Sequence, residues 1–90
     1  MRIKDGFILR KLKDQYIVVG EGLAQVNFNH IIILNESAAF LWEQVGNKDF
    51  SVEELAGLLV ERYHIAAEKA QEDAARWVEK LLKKGVMVQE

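Results

Sequence analysis

The sequence predicts an α+β domain in which a three-stranded antiparallel sheet is followed by three helices. Up to Leu34 the apolar residues fall in short runs rich in β-branched and aromatic side chains. Beyond Asn35 they recur at three- and four-residue spacing, the period of an amphipathic helix. The stretch Leu34-Asn35-Glu36-Ser37-Ala38-Ala39-Phe40-Leu41-Trp42 is the switch between the two regimes. At 90 residues the whole chain, 1–90, is read as a single domain.

The strands come first. Phe7 to Leu12 is a short apolar run, and Lys13-Asp14-Gln15 is a polar break of hairpin-loop length. Tyr16-Ile17-Val18-Val19 reads as the second strand, stopped by Gly20-Glu21-Gly22. Leu23 to Asn29 reads equally as strand or ordered loop. His30-Ile31-Ile32-Ile33-Leu34 is strongly β-prone and forms the third strand. A meander of three leaves this strand at an edge. Its Ile31-Ile32-Ile33 run is apolar on both faces, whereas a half-exposed strand alternates. Either helices and loop cover it, or one face and its free N–H and C=O groups await an added strand.

The helices carry clear start and stop signals. Asn35 is placed to cap the first, with Glu36 in the first turn where the helix dipole favours an acid. Ala38, Leu41, Trp42 and Val45 share one face, with Trp42 at its centre as core. Phe40 lies on the opposite side, as an exposed aromatic or a partner contact. Gly46 is a natural stop. Ser51-Val52-Glu53-Glu54 is a capping box, opening a helix with Val52, Leu55, Ala56, Leu59 and Tyr63 inward and an end near Arg62. His64-Ile65 connects to a third helix, Ala67 to Lys84, stopped by Gly85 but with no capping residue at its start. Ala67, Ala70, Ala74, Trp77, Val78, Leu81 and Leu82 form its apolar face. Glu72/Arg76 and Glu79/Lys83 are i,i+4 pairs on the other. Alanine there has two explanations: helix propensity with close packing on the second helix, or a shallow groove. Val86-Met87-Val88 is a short apolar tail that either adds a small strand or packs on the sheet.

Composition excludes several classes. There is no Cys, hence no disulfide frame, thiol nucleophile or thiolate metal site. Fourteen acids against 12 bases give a net charge of −2, without the basic footprint of a duplex binder. No apolar run approaches the ~18 residues of a membrane span, so the chain reads as cytoplasmic and not membrane-bound. His30 and His64 are the only histidines, each at an element boundary, with no acid–His–nucleophile pattern and too few ligands for a metal. The chain therefore reads as a non-enzyme with no catalytic residue and no metal.

Three strands, then Leu-Asn-Glu-Ser-Ala-x-x-Leu-Trp-Glu at 34–43, Ser-Val-Glu-Glu-Leu at 51–55 and a long helix ending in Lys-Lys-Gly at 83–85 resemble the PqqD-like family. These are small peptide chaperones of pyrroloquinoline quinone and related peptide-modifying pathways, also called RiPP recognition elements. The likeness spans roughly residues 7–88. It implies a winged helix-turn-helix fold and no cofactor. It implies binding of the leader segment of a ribosomally made precursor peptide, added as a strand in the cleft between the third strand and the third helix. It also implies delivery to a modifying enzyme, often of the radical S-adenosylmethionine type. On that reading the peptide-binding residues are His30, Ile31, Ile32 and Ile33 on the strand, with Ala70, Ala74, Trp77 and Leu81 on the helix. Which strand parity faces the cleft stays open. The span Gly20 to His30, longer than a simple hairpin, departs from the pattern.

Two other readings compete. Helices two and three have the order of a DNA-binding winged helix, but acids and bases nearly balance over residues 51–85, a poor basis for phosphate binding. A scaffold or homodimer would use the open strand edge and Phe40.

Overall fold

The structure is a computed structural model and describes residues 1–20, 32–46 and 48–89. Strands β1 (Arg2–Ile3), β2 (Phe7–Leu12), β3 (Gln15–Gly20) and β4 (Ile32–Leu34) precede helices α1 (Glu36–Val45), α2 (Val52–Tyr63) and α3 (Ala67–Lys83), and β5 (Met87–Val88) follows. The expected α+β order holds: β2-β3-β4 form an antiparallel sheet, with the three helices after it in the winged helix-turn-helix order. The hairpin turns on Lys13 and Asp14 alone, since Gln15 pairs with Leu12 and Gly20 with Phe7, so both belong to β3. The expected strand start at His30-Ile31, the Gly20-Glu21-Gly22 stop beyond Gly20, and the Leu23–Asn29 stretch lie outside the described residues.

The helix caps form as their local chemistry dictates. Asn35 is extended, and its side-chain oxygen accepts from the Ala38 N–H at 2.8 Å. The Ser51 hydroxyl accepts from the Glu54 N–H at 3.2 Å and donates to the Glu54 carboxylate at 3.3 Å. α3 has no side-chain cap at Ala66, as its sequence implied. It ends at Lys83 in a closing motif that the Gly85 φ of 77° permits: the Gly85 N–H reaches the Leu82 carbonyl and the Val86 N–H reaches that of Leu81. Leu81 and Val86, both fully buried, supply the apolar contact that goes with it.

One core unites the sheet and the helices. Val18, Ile32 and Leu34 form the inner face of the sheet, and Leu41, Trp42 and Val45 of α1 meet Leu55 and Leu59 of α2 within it. Trp42 is core, as expected. Ala39, not Ala38, completes the buried face of α1. Phe40 is not an exposed aromatic: its ring meets Tyr63 edge-on at 5.9 Å, with the Arg62 guanidinium 5.6 Å from its centre. The apolar tail does form a strand, but in a second sheet with the unpredicted β1, where Arg2 pairs with Val88 and Ile3 with Met87. Lys4 N–H to the Val86 carbonyl and Phe50 N–H to that of Met1 extend this clasp.

Candidate functional site

β4 pairs with β3 on one side only, through Tyr16–Leu34, Ile17–Ile33 and Val18–Ile32. Among the described residues its other side carries no strand. Alternation buries Ile32 and Leu34 and leaves Ile33 56% exposed. That resolves the doubly apolar run within β4: its inner parity is core and its outer parity is open to solvent.

Alternate residues of an antiparallel strand turn both N–H and C=O away from the neighbour. Lys80 identifies Ile33 as one of these, because its Nζ crosses from α3 to donate to the Ile33 carbonyl at 3.2 Å. Ile33 thus offers one outward donor and one outward acceptor at the sheet edge.

Beside this edge lies a cleft of about 300 Å³. Leu34 comes from β4, and Asn35, Ser37, Ala38 and Leu41 from the switch and α1. Leu59 rises from α2, and Asp73, Arg76, Trp77 and Lys80 form the α3 wall. A second hollow shares Asn35, Ser37, Leu59 and Asp73 with it and continues past Glu36 toward Tyr63 and Ile65. The trough thus has an apolar floor and a polar rim. Trp77 is anchored there by its indole N–H, which donates to the Ala38 carbonyl at 3.1 Å, and by a tilted contact with Phe50 at 5.8 Å. Asp73 is paired with Lys69 at 3.2 Å and Arg76 with Glu72.

The expected site residues divide into three groups. Ile33 is exposed on β4, the strand with one open side, and Trp77 lines the cleft. Ile32, Ala70, Ala74 and Leu81 are buried in the core, and none of them lines the cleft. The groove attributed to the alanines is filled: with only methyl groups at 70 and 74, α3 sits closely on α2. His30 and Ile31 lie outside the described residues.

Asp73, Arg76 and Lys80 line the cleft although none is among the expected site residues, Arg76 showing in the sequence only as the partner of Glu72. The missed signal was position: 73, 76, 77 and 80 share a helix stripe of their own, flanking the alanine stripe. Ala38, expected on the inward face of α1, lines the cleft together with Ser37. Among the described residues no cluster of three or more His, Asp or Glu is disposed to hold a metal, and no helix is long and apolar enough to cross a membrane.

Comparison with solved structures finds similar folds. TbiB1 in complex with the TbiA(beta) leader peptide matches with a TM-score of 0.73 at 14% identity, over 100% of this chain and 98% of that one. A lasso peptide synthetase B1 complexed with the leader peptide matches with a TM-score of 0.71 at 18% identity, over 98% and 96%. No curated protein matches. The family profile of coenzyme PQQ synthesis protein D (PqqD) matches residues 16–87, from Tyr16 within β3 through α3 to Met87 of β5. With β4, the three helices and the trough between β4 and α3 inside that span, this chain belongs to the PqqD family.

Proposed function

We propose that this chain binds the leader segment of a ribosomally synthesised precursor peptide and presents it to a modifying enzyme. The observation that carries the reading is β4: an edge strand whose Ile33 turns a donor and an acceptor outward, beside a trough lined by Leu34, Leu41, Leu59 and Trp77. A peptide adding as a fourth strand gains register from the backbone bonds. It gains selectivity from every second side chain, which drops into the trough. The two structural relatives are complexes with leader peptides, and that supports the same use of the fold here.

The chain acts on this reading as a binding module, and the chemistry belongs to its partner, a radical S-adenosylmethionine enzyme or another peptide-modifying class. It works in the cytoplasm, where precursor peptides are made. A homodimer formed through the same β4 edge would compete with the peptide, so any such dimer dissociates as leader is added. Light scattering during the titration checks that.

A DNA-binding role is not favoured. The outer face of α3 matches its cations with acids in Lys69–Asp73, Glu72–Arg76 and Glu79–Lys83, leaving little to release counterions from a duplex.

The test is a resonance titration of labelled protein with the leader of a precursor encoded beside its gene. Expected are shifts first at 32–34, 37–38 and 73–80. Shifts confined to other regions, or binding of duplex DNA with strong salt dependence, would refute the reading.

A further inference from the structure

Lys80 is a cation of α3 to which the helix offers no carboxylate. The residues three and four positions from it are Arg76, Trp77, Lys83 and Lys84. Lys69, Arg76 and Lys83 each meet an acid one turn away. The row Arg76–Lys80–Lys84 instead repeats like charge at i,i+4, which disfavours a helix. The helix dipole favours cations in the last turn, but it gives no reason for Lys80 to reach across the cleft mouth. Its neighbours in the cleft are already balanced, Asp73 by Lys69 and Arg76 by Glu72. Among the described residues that line the cleft beside β4, the charge without an ion-pair partner is that of Lys80, and the acid without one, Glu36, belongs to the second hollow.

We infer that Lys80 selects an acidic side chain on the bound peptide strand, an inference that rests on the strand-addition reading above. The Lys80 ammonium occupies the Ile33 carbonyl, the acceptor that a guest backbone N–H requires. A guest strand paired at Ile33 takes over that acceptor and displaces the ammonium. The ammonium then stands at the rim beside the guest, within reach of side chains flanking the paired residue. An Asp or Glu there restores a charge-assisted bond. A neutral guest leaves Lys80 to water, and a basic guest sets a like charge against it. The peptide class that fits is an extended apolar segment carrying one acid at a fixed register from its Ile33-paired residue.

Selection of a displayed library of random short peptides tests this, against the wild-type domain and against Lys80→Glu and Lys80→Met. Lys80 is exposed, and circular dichroism confirms that each variant is folded. Peptides that shift the Ile33 amide resonance are resynthesised with Glu, Gln or Lys at each position. Strands selected by the wild type should be enriched in Asp or Glu at one register. Glu should bind about two- to fivefold tighter than Gln, the span of an exposed ion pair, with the advantage shrinking as salt rises. Lys80→Glu should invert the preference toward Lys, and Lys80→Met should bind the Glu and Gln peptides equally. Absence of acid enrichment, or a Glu preference that persists in Lys80→Met, overturns the inference while leaving strand addition standing. If no selected peptide shifts Ile33, strand addition itself fails and the inference falls with it.

Discussion

His64 closes α2 in the left-handed region, at φ 55° and ψ 39°, with its N–H on the Val60 carbonyl at 2.9 Å. An L-residue there is disfavoured by contact between Cβ and the backbone, which glycine lacks. The side chain is exposed, so nothing in the core depends on it. His64→Gly is therefore expected to stabilise the domain by about 0.5–1 kcal/mol, measured as a higher urea midpoint with unchanged slope. At this scale the sequence is legible wherever an interaction closes within one turn. Asn35 and Ser51 declare themselves as caps because donor and acceptor are three residues apart. Phe40 does not, because its ring partner Tyr63 stands on another helix. Lys80 is illegible for the same reason: its acceptor, the Ile33 carbonyl, is 47 residues away.

At the scale of elements, α2 and β4 each carry a feature that a single substitution isolates. Gly57 lies in the exposed middle of α2, and a methyl added there would meet nothing within 4 Å. Glycine in a helix interior is about 0.8–1.0 kcal/mol less favourable than alanine. Gly57→Ala should recover most of that difference, read from the thermal midpoint. In β4, Ile33→Pro removes the outward N–H without touching a bond to β3, and an edge position tolerates proline. The expected result is a folded domain by circular dichroism with peptide affinity reduced about tenfold, as one lost backbone bond implies. Affinity equal to wild type would mean that the guest does not pair at Ile33. Periodicity exposes the helices and their inward faces, yet the alanine stripe of α3 shows its limit. Small residues at 70 and 74 signal close approach, and the spacing does not say whether a guest or α2 makes it. The answer lies in the opposite wall, where Leu55 and Leu59 of α2 are buried.

For the whole molecule, the element that no local pattern reveals is the clasp between β1 and β5. Arg2–Ile3 is too short to show alternation, and its partner Met87–Val88 lies at the far end of the chain. The clasp nonetheless closes the bottom of the core: Ile3, Val86 and Met87 are all buried beside the helices. A domain of this size retains only about 5–15 kcal/mol of net stability. Ile3→Ala removes buried methyl groups at a position held by its pairing with Met87 and by the neighbouring Lys4 N–H bond to the Val86 carbonyl, so little collapse can fill the gap. A loss of about 2–4 kcal/mol follows. Leu12→Ala is the control, since Leu12 is 55% exposed at the hairpin end and its truncation should change stability by less than about 0.5 kcal/mol. Ile3 lies in the second sheet and is absent from the cleft wall, whereas Leu34 and Trp77 line it. Well below its lowered midpoint, Ile3→Ala should therefore bind a leader peptide with wild-type affinity. Denaturant titration and calorimetry on the same two variants decide the point. Equal destabilisation of both would place Ile3 outside the core, and weakened binding by folded Ile3→Ala would mean that the clasp and the trough are mechanically one unit.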